Sequence, residues 1–124
     1  MFLKYTIWAW LWSAVLLTVC LLPGHSLPED PVAHADKIFH AGAFALLALL
    51  LARGLEKQTA FARFGRHAVV GAFVFSSAFG ALIELLQEAV AVNRSADVLD
   101  WAADTAGALA GLVCYRLSVH KKKI

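Results

Sequence analysis

The chain has 124 residues, of which 60% are hydrophobic and 16% are charged, and its formal net charge is +2 with neutral histidines. Soluble domains are about 45–50% apolar and about 25% charged, so this composition argues against a water-soluble protein. The length favours one domain over residues 1–124, with the lipid bilayer as its surroundings. So small a net charge gives no reason to expect a nucleic-acid partner.

Four apolar runs follow one another and predict an all-α bundle of four transmembrane helices, at about residues 5–22, 36–53, 67–92 and 97–117. No small-residue cleavage site follows the first run, so we expect a retained helix rather than a signal peptide. The second run is barely long enough to span a bilayer and favours a short or tilted helix.

The basic residues indicate how these helices are oriented. Four Lys or Arg residues lie in the linker at 53–66, and four more lie from Arg116 to the C-terminus. The loop at 23–35 has none, and the loop at 93–96 has one. Because short cytoplasmic loops are enriched in Lys and Arg, we expect both termini and the 53–66 linker on the cytoplasmic side of the membrane.

Ionisable and amide side chains collect in the outward half of the last three helices. Such groups are costly inside a bilayer, at about 2.5–3.5 kcal/mol each on insertion scales, so they need partners or water. Packing of the three helices would bring them together. The residues expected to form a ligand-binding cluster are Asp36, His40, Glu84, Gln87, Arg94, Asp97, Asp100 and Asp104.

Helical spacing places these residues on shared faces. Asp97, Asp100, Asp104, Gly107 and Gly111 advance by steps of three and four, which is one stripe along a helix. Gly107 and Gly111 are expected to pack closely against another helix. The carboxylates on the same stripe should therefore face protein or a polar cleft rather than lipid.

The chemistry of this cluster has functional and structural interpretations. His40 with Glu84, Asp100 or Asp104 forms a candidate set for acid–base catalysis, and Mg²⁺ or Ca²⁺ is a candidate ligand of the carboxylates. Arg94 is a candidate partner for a phosphate or carboxylate. Structural alternatives are helix capping by the aspartates and neutralisation of a carboxylate by arginine. No two histidines show the spacing of a zinc site.

The same residues resemble those of a known family. Asp36-Lys37-Ile38-Phe39-His40, then Glu84-x-x-Gln87, then the stripe from Arg94 to Gly111 resemble the VanZ-like family over about residues 36–111. The resemblance implies a multi-pass protein of the bacterial inner membrane and cell envelope. The family is named after a protein associated with low-level teicoplanin resistance, a property that the resemblance does not extend to this chain.

Three functions stay open from the sequence. The first is binding of a polar or anionic group, from an envelope lipid or the cell wall, in a cleft open to the periplasmic side. The second is a small membrane enzyme that acts on such a headgroup by acid–base chemistry. The third is a proton-coupled transporter, which four helices would form only as a homo-oligomer.

Overall fold

The computed structural model describes residues 2–21, 35–89 and 98–123. All regular elements within these ranges are helices, which confirms the predicted all-α class. The helices are α1 (Phe2–Cys20), α2 (Ala35–Lys57), α3 (Ala62–Arg66), α4 (Ala68–Ala89) and α5 (Val98–Lys123). The predicted loops at 23–35 and 93–96 lie almost wholly outside the described residues.

The helices differ from the predicted ones mainly at their polar ends. α2 continues past Ala52 to Lys57, with Gly54 and Leu55 buried and Arg53, Glu56 and Lys57 exposed. α4 begins at Ala68, within one residue of the start predicted at about 67, and His67 is a turn between the five-residue α3 and α4. α5 likewise extends beyond Leu117 to Lys123. An apolar run in the sequence therefore predicts the apolar segment of a helix but not where the helix ends.

Three of the helices, α1, α2 and α4, are long and apolar enough to cross a bilayer. α5 is longer than any of them but is not among these candidate spans. Its apolar middle is bounded by Asp100 and Asp104 on one side and Arg116 on the other. The four-span prediction is thus supported for its first three helices.

α2 is the central helix, and its contacts fix the direction of its neighbours. α1 runs antiparallel to it, since Tyr5 lies against Gly54 and the indole of Trp12 donates to the Ala43 carbonyl at 2.9 Å. α4 is also antiparallel to α2, because Gly71 lies near Leu55 at one end of the pair.

α5 runs parallel to α2 and packs against it very closely. A Cβ built on Gly107 would collide with the Ala41 backbone, and one built on Gly111 would collide with that of Ala45. Both positions advance by four residues, so the helices follow each other in the same direction. The four long helices therefore alternate in direction, as in an up-down-up-down bundle.

Apolar side chains cover the surface and ionisable side chains lie in the interior, the reverse of their usual places in a water-soluble protein. Large apolar side chains stand exposed on every long helix, with Trp8 68%, Ile38 70%, Leu85 65% and Val98 76% exposed. Buried positions include histidine, glutamate and aspartate side chains. Because lipid solvates apolar surface and not isolated charges, this distribution is that of a membrane protein.

A candidate polar site buried between three helices

Three helices each contribute an ionisable side chain to one buried cluster. His40 comes from α2, Glu84 from α4 and Asp104 from α5, and they are 4%, 6% and 0% exposed. Each lies five or six residues from the helix end on its side of the bundle, or about 8–9 Å at 1.5 Å per residue. The cluster therefore sits below that end of the bundle and not on its surface.

His40 and Asp104 form the shortest polar contact of the cluster. His40 Nδ1 lies 2.6 Å from Asp104 Oδ1, and both atoms are buried. A proton must lie between them, because an imidazole lone pair and a carboxylate oxygen would otherwise repel each other. The pair can therefore hold and transfer a proton within the bundle, and the carboxylate fixes the orientation of the imidazole ring.

Asp100 lies one turn above Asp104 on α5, at the edge of the cluster. Its Oδ1 accepts from Lys37 Nζ at 3.0 Å, and its Oδ2 is 3.9 Å from His40 Nε2. The side chains of Lys37 and Asp100 are 23% and 12% exposed, respectively. This ion pair forms the more accessible rim of the site, above the buried imidazole.

Glu84 completes a compact group of possible ligand atoms. One donor atom each from His40, Glu84 and Asp104 lie within 4.8 Å of one another. All three residues are buried. An imidazole nitrogen and two carboxylate oxygens at this separation are suited to binding a cation or to sharing protons.

The second oxygen of Asp104 is unusual among the described residues. Asp104 Oδ2 is buried and has no hydrogen-bond partner within the described part of the chain. It points towards Gly80 of α4, where a built Cβ would lie 2.9 Å from it. Glycine at position 80 thus gives the carboxylate its room. A buried carboxylate oxygen without a donor is costly, so its position calls for an explanation.

The described part of the cluster has an excess of negative groups. Three carboxylates, from Glu84, Asp100 and Asp104, face one lysine, Lys37, and one imidazole, His40. In a poorly solvated site such an excess favours protonation of a carboxylate or binding of a cation.

The structure brings together only some of the residues that the sequence placed in the site. Gln87 is buried, but its Nε2 donates to the Cys20 carbonyl at 2.8 Å and so closes the end of α1. Asp36 is the second residue of α2, and its side chain lies outside the described part. Arg94 and Asp97 lie outside the described residues altogether.

Two residues beside the cluster were not identified as site residues from the sequence. Lys37 holds Asp100, and Gly80 makes space for Asp104. Gly80 lies one turn before Glu84 on the same face of α4, and that spacing is visible in the sequence. The partner of Lys37 depends on how α2 and α5 are rotated about their axes, and this rotation cannot be predicted from the sequence.

Comparison with known proteins identifies a family. A model of the VanZ/LLP1 family matches residues 2–119, which confirms the resemblance and extends it from the predicted 36–111 to include α1. No curated protein and no solved structure has significant similarity to the chain. The match thus shows the family over almost the whole chain.

Proposed function

The chain belongs to the VanZ/LLP1 family, and we propose that it crosses the bacterial inner membrane four times with both termini in the cytoplasm. The charges of the bundle support this orientation. Basic side chains gather at the end opposite the polar cluster, namely Lys4, Arg53, Lys57, Arg63, Arg66, Arg116 and Lys121. That end would face the cytoplasm, and the cluster would lie towards the periplasm.

The faces of α5 support its role as the fourth span. Asp104 and the two glycines Gly107 and Gly111 are buried towards its neighbours, whereas Leu109 and Val113 are 55% and 51% exposed. The average hydropathy of α5 is thus lowered by side chains that would not meet lipid. A helix with its polar stripe covered by protein can cross a bilayer at a lower cost than its composition indicates.

We further propose that the polar cluster binds the headgroup of an envelope lipid or a cell-wall fragment that reaches it from the periplasmic side. One observation carries this proposal: three helices direct His40, Glu84 and Asp104 into one buried site in which no described residue donates to Asp104 Oδ2. Groups with a purely structural role would be expected to satisfy one another. Lys37 and Asp100 at the rim would make the first polar contact.

The orientation is tested with single cysteines in a chain that lacks Cys20 and Cys114. Cysteines introduced at His25 and His120 are exposed in turn to a thiol reagent that does not cross the inner membrane. We expect labelling of intact spheroplasts at position 25 only, and labelling at position 120 only after the membrane is opened. The reverse pattern would contradict the proposed orientation.

The binding role is tested in nanodiscs with a polyprenyl phosphate as the probe and the matching polyprenol as the control lipid. We expect the phosphate-bearing lipid to bind the wild type and to lose about tenfold or more in affinity with Asp100→Asn or His40→Ala. Both variants should insert and fold as the wild type does. Equal binding by the wild type and both variants would make the cluster structural.

The close His40–Asp104 contact also favours the enzymatic alternative, because a carboxylate-oriented imidazole is a common general base. Turnover of the probe lipid, lost in His40→Ala, would select it over binding alone.

Transport has less support from the described residues. The half of the bundle between the cluster and the basic end is packed with apolar side chains, among them Ala48, Leu51, Ala52, Ala72 and Leu112. The buried Thr6 and Ser13 there bond carbonyls of their own helix, at Phe2 and Ala9. A proton or ion would therefore meet a largely apolar barrier.

A further inference from the structure

The described side chains of the cluster are mainly acidic, which does not favour binding of an anionic headgroup. Its three carboxylates outnumber its one lysine and its one imidazole among the described residues. We propose that His40, Glu84 and Asp104 form a binding site for a divalent transition-metal ion, with Zn²⁺ as its simplest representative. The ion would reverse the sign of the site and so allow a negatively charged oxygen to approach.

The spacing of the three side chains is close to that of a metal site. Their ligand atoms lie within 4.8 Å of one another, so an ion placed centrally would be about 2.8 Å or less from each, against Zn–N and Zn–O bonds of about 2.0–2.2 Å. Movement of less than about 1 Å per side chain would reach those bond lengths, with His40 Nδ1 and Asp104 Oδ1 separating from their present 2.6 Å as the ion enters between them. Rotamer adjustments of that size need no movement of the helices.

The unpartnered oxygen of Asp104 is the second, independent observation. Asp104 is fully buried and its Oδ2 has no hydrogen-bond donor among the described residues. A cation would supply the missing positive partner of this oxygen, which lies against Gly80. At Asp104 Oδ1 the ion would take the place of the proton shared with His40 Nδ1. Binding would therefore release protons.

The ligand set selects the class of ion. An imidazole with two carboxylates suits zinc, manganese or ferrous iron, whereas Mg²⁺ and Ca²⁺ prefer all-oxygen sites. Mg²⁺ or Ca²⁺, the ions expected from the carboxylates alone, therefore fits less well once His40 is included. Asp100 Oδ2 is 3.9 Å from His40 Nε2, beyond hydrogen-bonding distance but close enough for a small shift to bring an outer carboxylate onto the imidazole.

Three protein ligands leave a coordination position for a further group. This last step rests on the proposed function: the open position would take a phosphate or carboxylate oxygen of the headgroup. The occupancy of the metal site itself does not depend on that step, and the two can be measured separately.

The test uses the full chain in nanodiscs, stripped of metal by a chelator and titrated with Zn²⁺. We expect one ion per chain, and X-ray absorption of the zinc-loaded wild type should show one imidazole and oxygen ligands. Glu84→Gln should weaken zinc binding about 100-fold or more. The matched control is Glu88→Gln, since Glu88 lies on the same helix but is exposed, and it should bind zinc as the wild type does.

Absence of stoichiometric zinc in the wild type, or an absorption spectrum without an imidazole ligand, would overturn the metal site. So would an equal loss in Glu84→Gln and Glu88→Gln. Because the absorption measurement uses the wild type, poor folding of a variant does not weaken the test.

Polyprenyl phosphate binding separates the two proposals. Zinc-dependent binding of this probe supports both, and unchanged binding after chelation overturns the metal as the link to the headgroup. Zinc binding without any probe binding leaves the metal site standing and contradicts the proposed function.

Discussion

The two halves of the bundle bury different kinds of side chain, although α2 runs through both. Around His40 the interior holds charged and polar groups, and around Leu51 it holds alanine and leucine. In a bilayer, helices associate through close packing more than through the hydrophobic effect, because lipid is as apolar as leucine. The apolar half should therefore contribute most of the stability, and the polar half is free to serve binding.

The largest effect is expected where α2 and α5 touch, at the junction of the halves. Gly107→Ala places a Cβ 2.6 Å from the Ala41 Cα and still closer to its carbonyl oxygen. Because backbone atoms cannot move aside as side chains do, we expect a loss of about 3 kcal/mol in the free energy of unfolding. The measurement is unfolding in mixed micelles with increasing SDS, followed by circular dichroism.

Gly42→Ala is the matched control, because no atom of the described residues lies within 4 Å of its Cβ position. The same substitution there should be neutral or stabilise by up to about 1 kcal/mol. If both variants unfold alike, the α2–α5 contact is not the tight seam that joins the two halves.

The sequence could predict the contents of the polar half better than its pairings. Hydropathy and helical spacing are local, so they place His40, Glu84 and Asp104 on inward faces of three helices. The partner of Gln87 is a carbonyl on α1, which depends on how helices pack and on no short-range pattern. The pairing of Lys37 with Asp100 likewise depends on how two helices pack, so the sequence did not identify it. Gly80 could have been noticed as a small residue one turn from Glu84.

The helix ends show a second limit of sequence reasoning. A run of apolar residues ends at Ala52, but α2 ends at Lys57, and its last turn buries Leu55 between exposed polar side chains. α5 shows the opposite error. Its average composition is too polar for a candidate span, although one of its faces is apolar and exposed. Hydropathy averages the two faces of a helix and cannot separate them.

Substitutions in the two halves should affect different properties. A substitution in the apolar half should lower stability, and one in the polar half should remove binding. Leu51→Ala removes a side chain that is only 4% exposed in the apolar half. We expect a loss of about 2 kcal/mol in unfolding free energy, mainly from the cavity, with zinc and probe binding unchanged. Asp104→Asn should instead abolish binding while the unfolding free energy changes by about 1 kcal/mol or less. Loss of binding in Leu51→Ala would show that the two halves are coupled.

Gln87 tests whether the polar half also contains purely structural groups. Gln87→Leu removes the donor to the Cys20 carbonyl and should destabilise the protein by about 1 kcal/mol. Glu88→Leu introduces the same side chain at an exposed neighbouring position and should have less effect. Both proteins should still bind zinc. A loss of zinc binding specific to Gln87→Leu would assign Gln87 to the site after all.

The smallest effect is expected at the rim, where Lys37 and Asp100 are 3.0 Å apart and partly exposed. A double-mutant cycle with Lys37→Met and Asp100→Asn should give a coupling energy of about 0.5 kcal/mol that falls with added salt. The Tyr115–Glu56 hydrogen bond at the basic end is exposed and provides the comparison, measured with Tyr115→Phe and Glu56→Gln. A rim coupling several times larger and insensitive to salt would mean that water does not reach Asp100. The polar half would then be sealed from the periplasm, and a headgroup would have no route to His40.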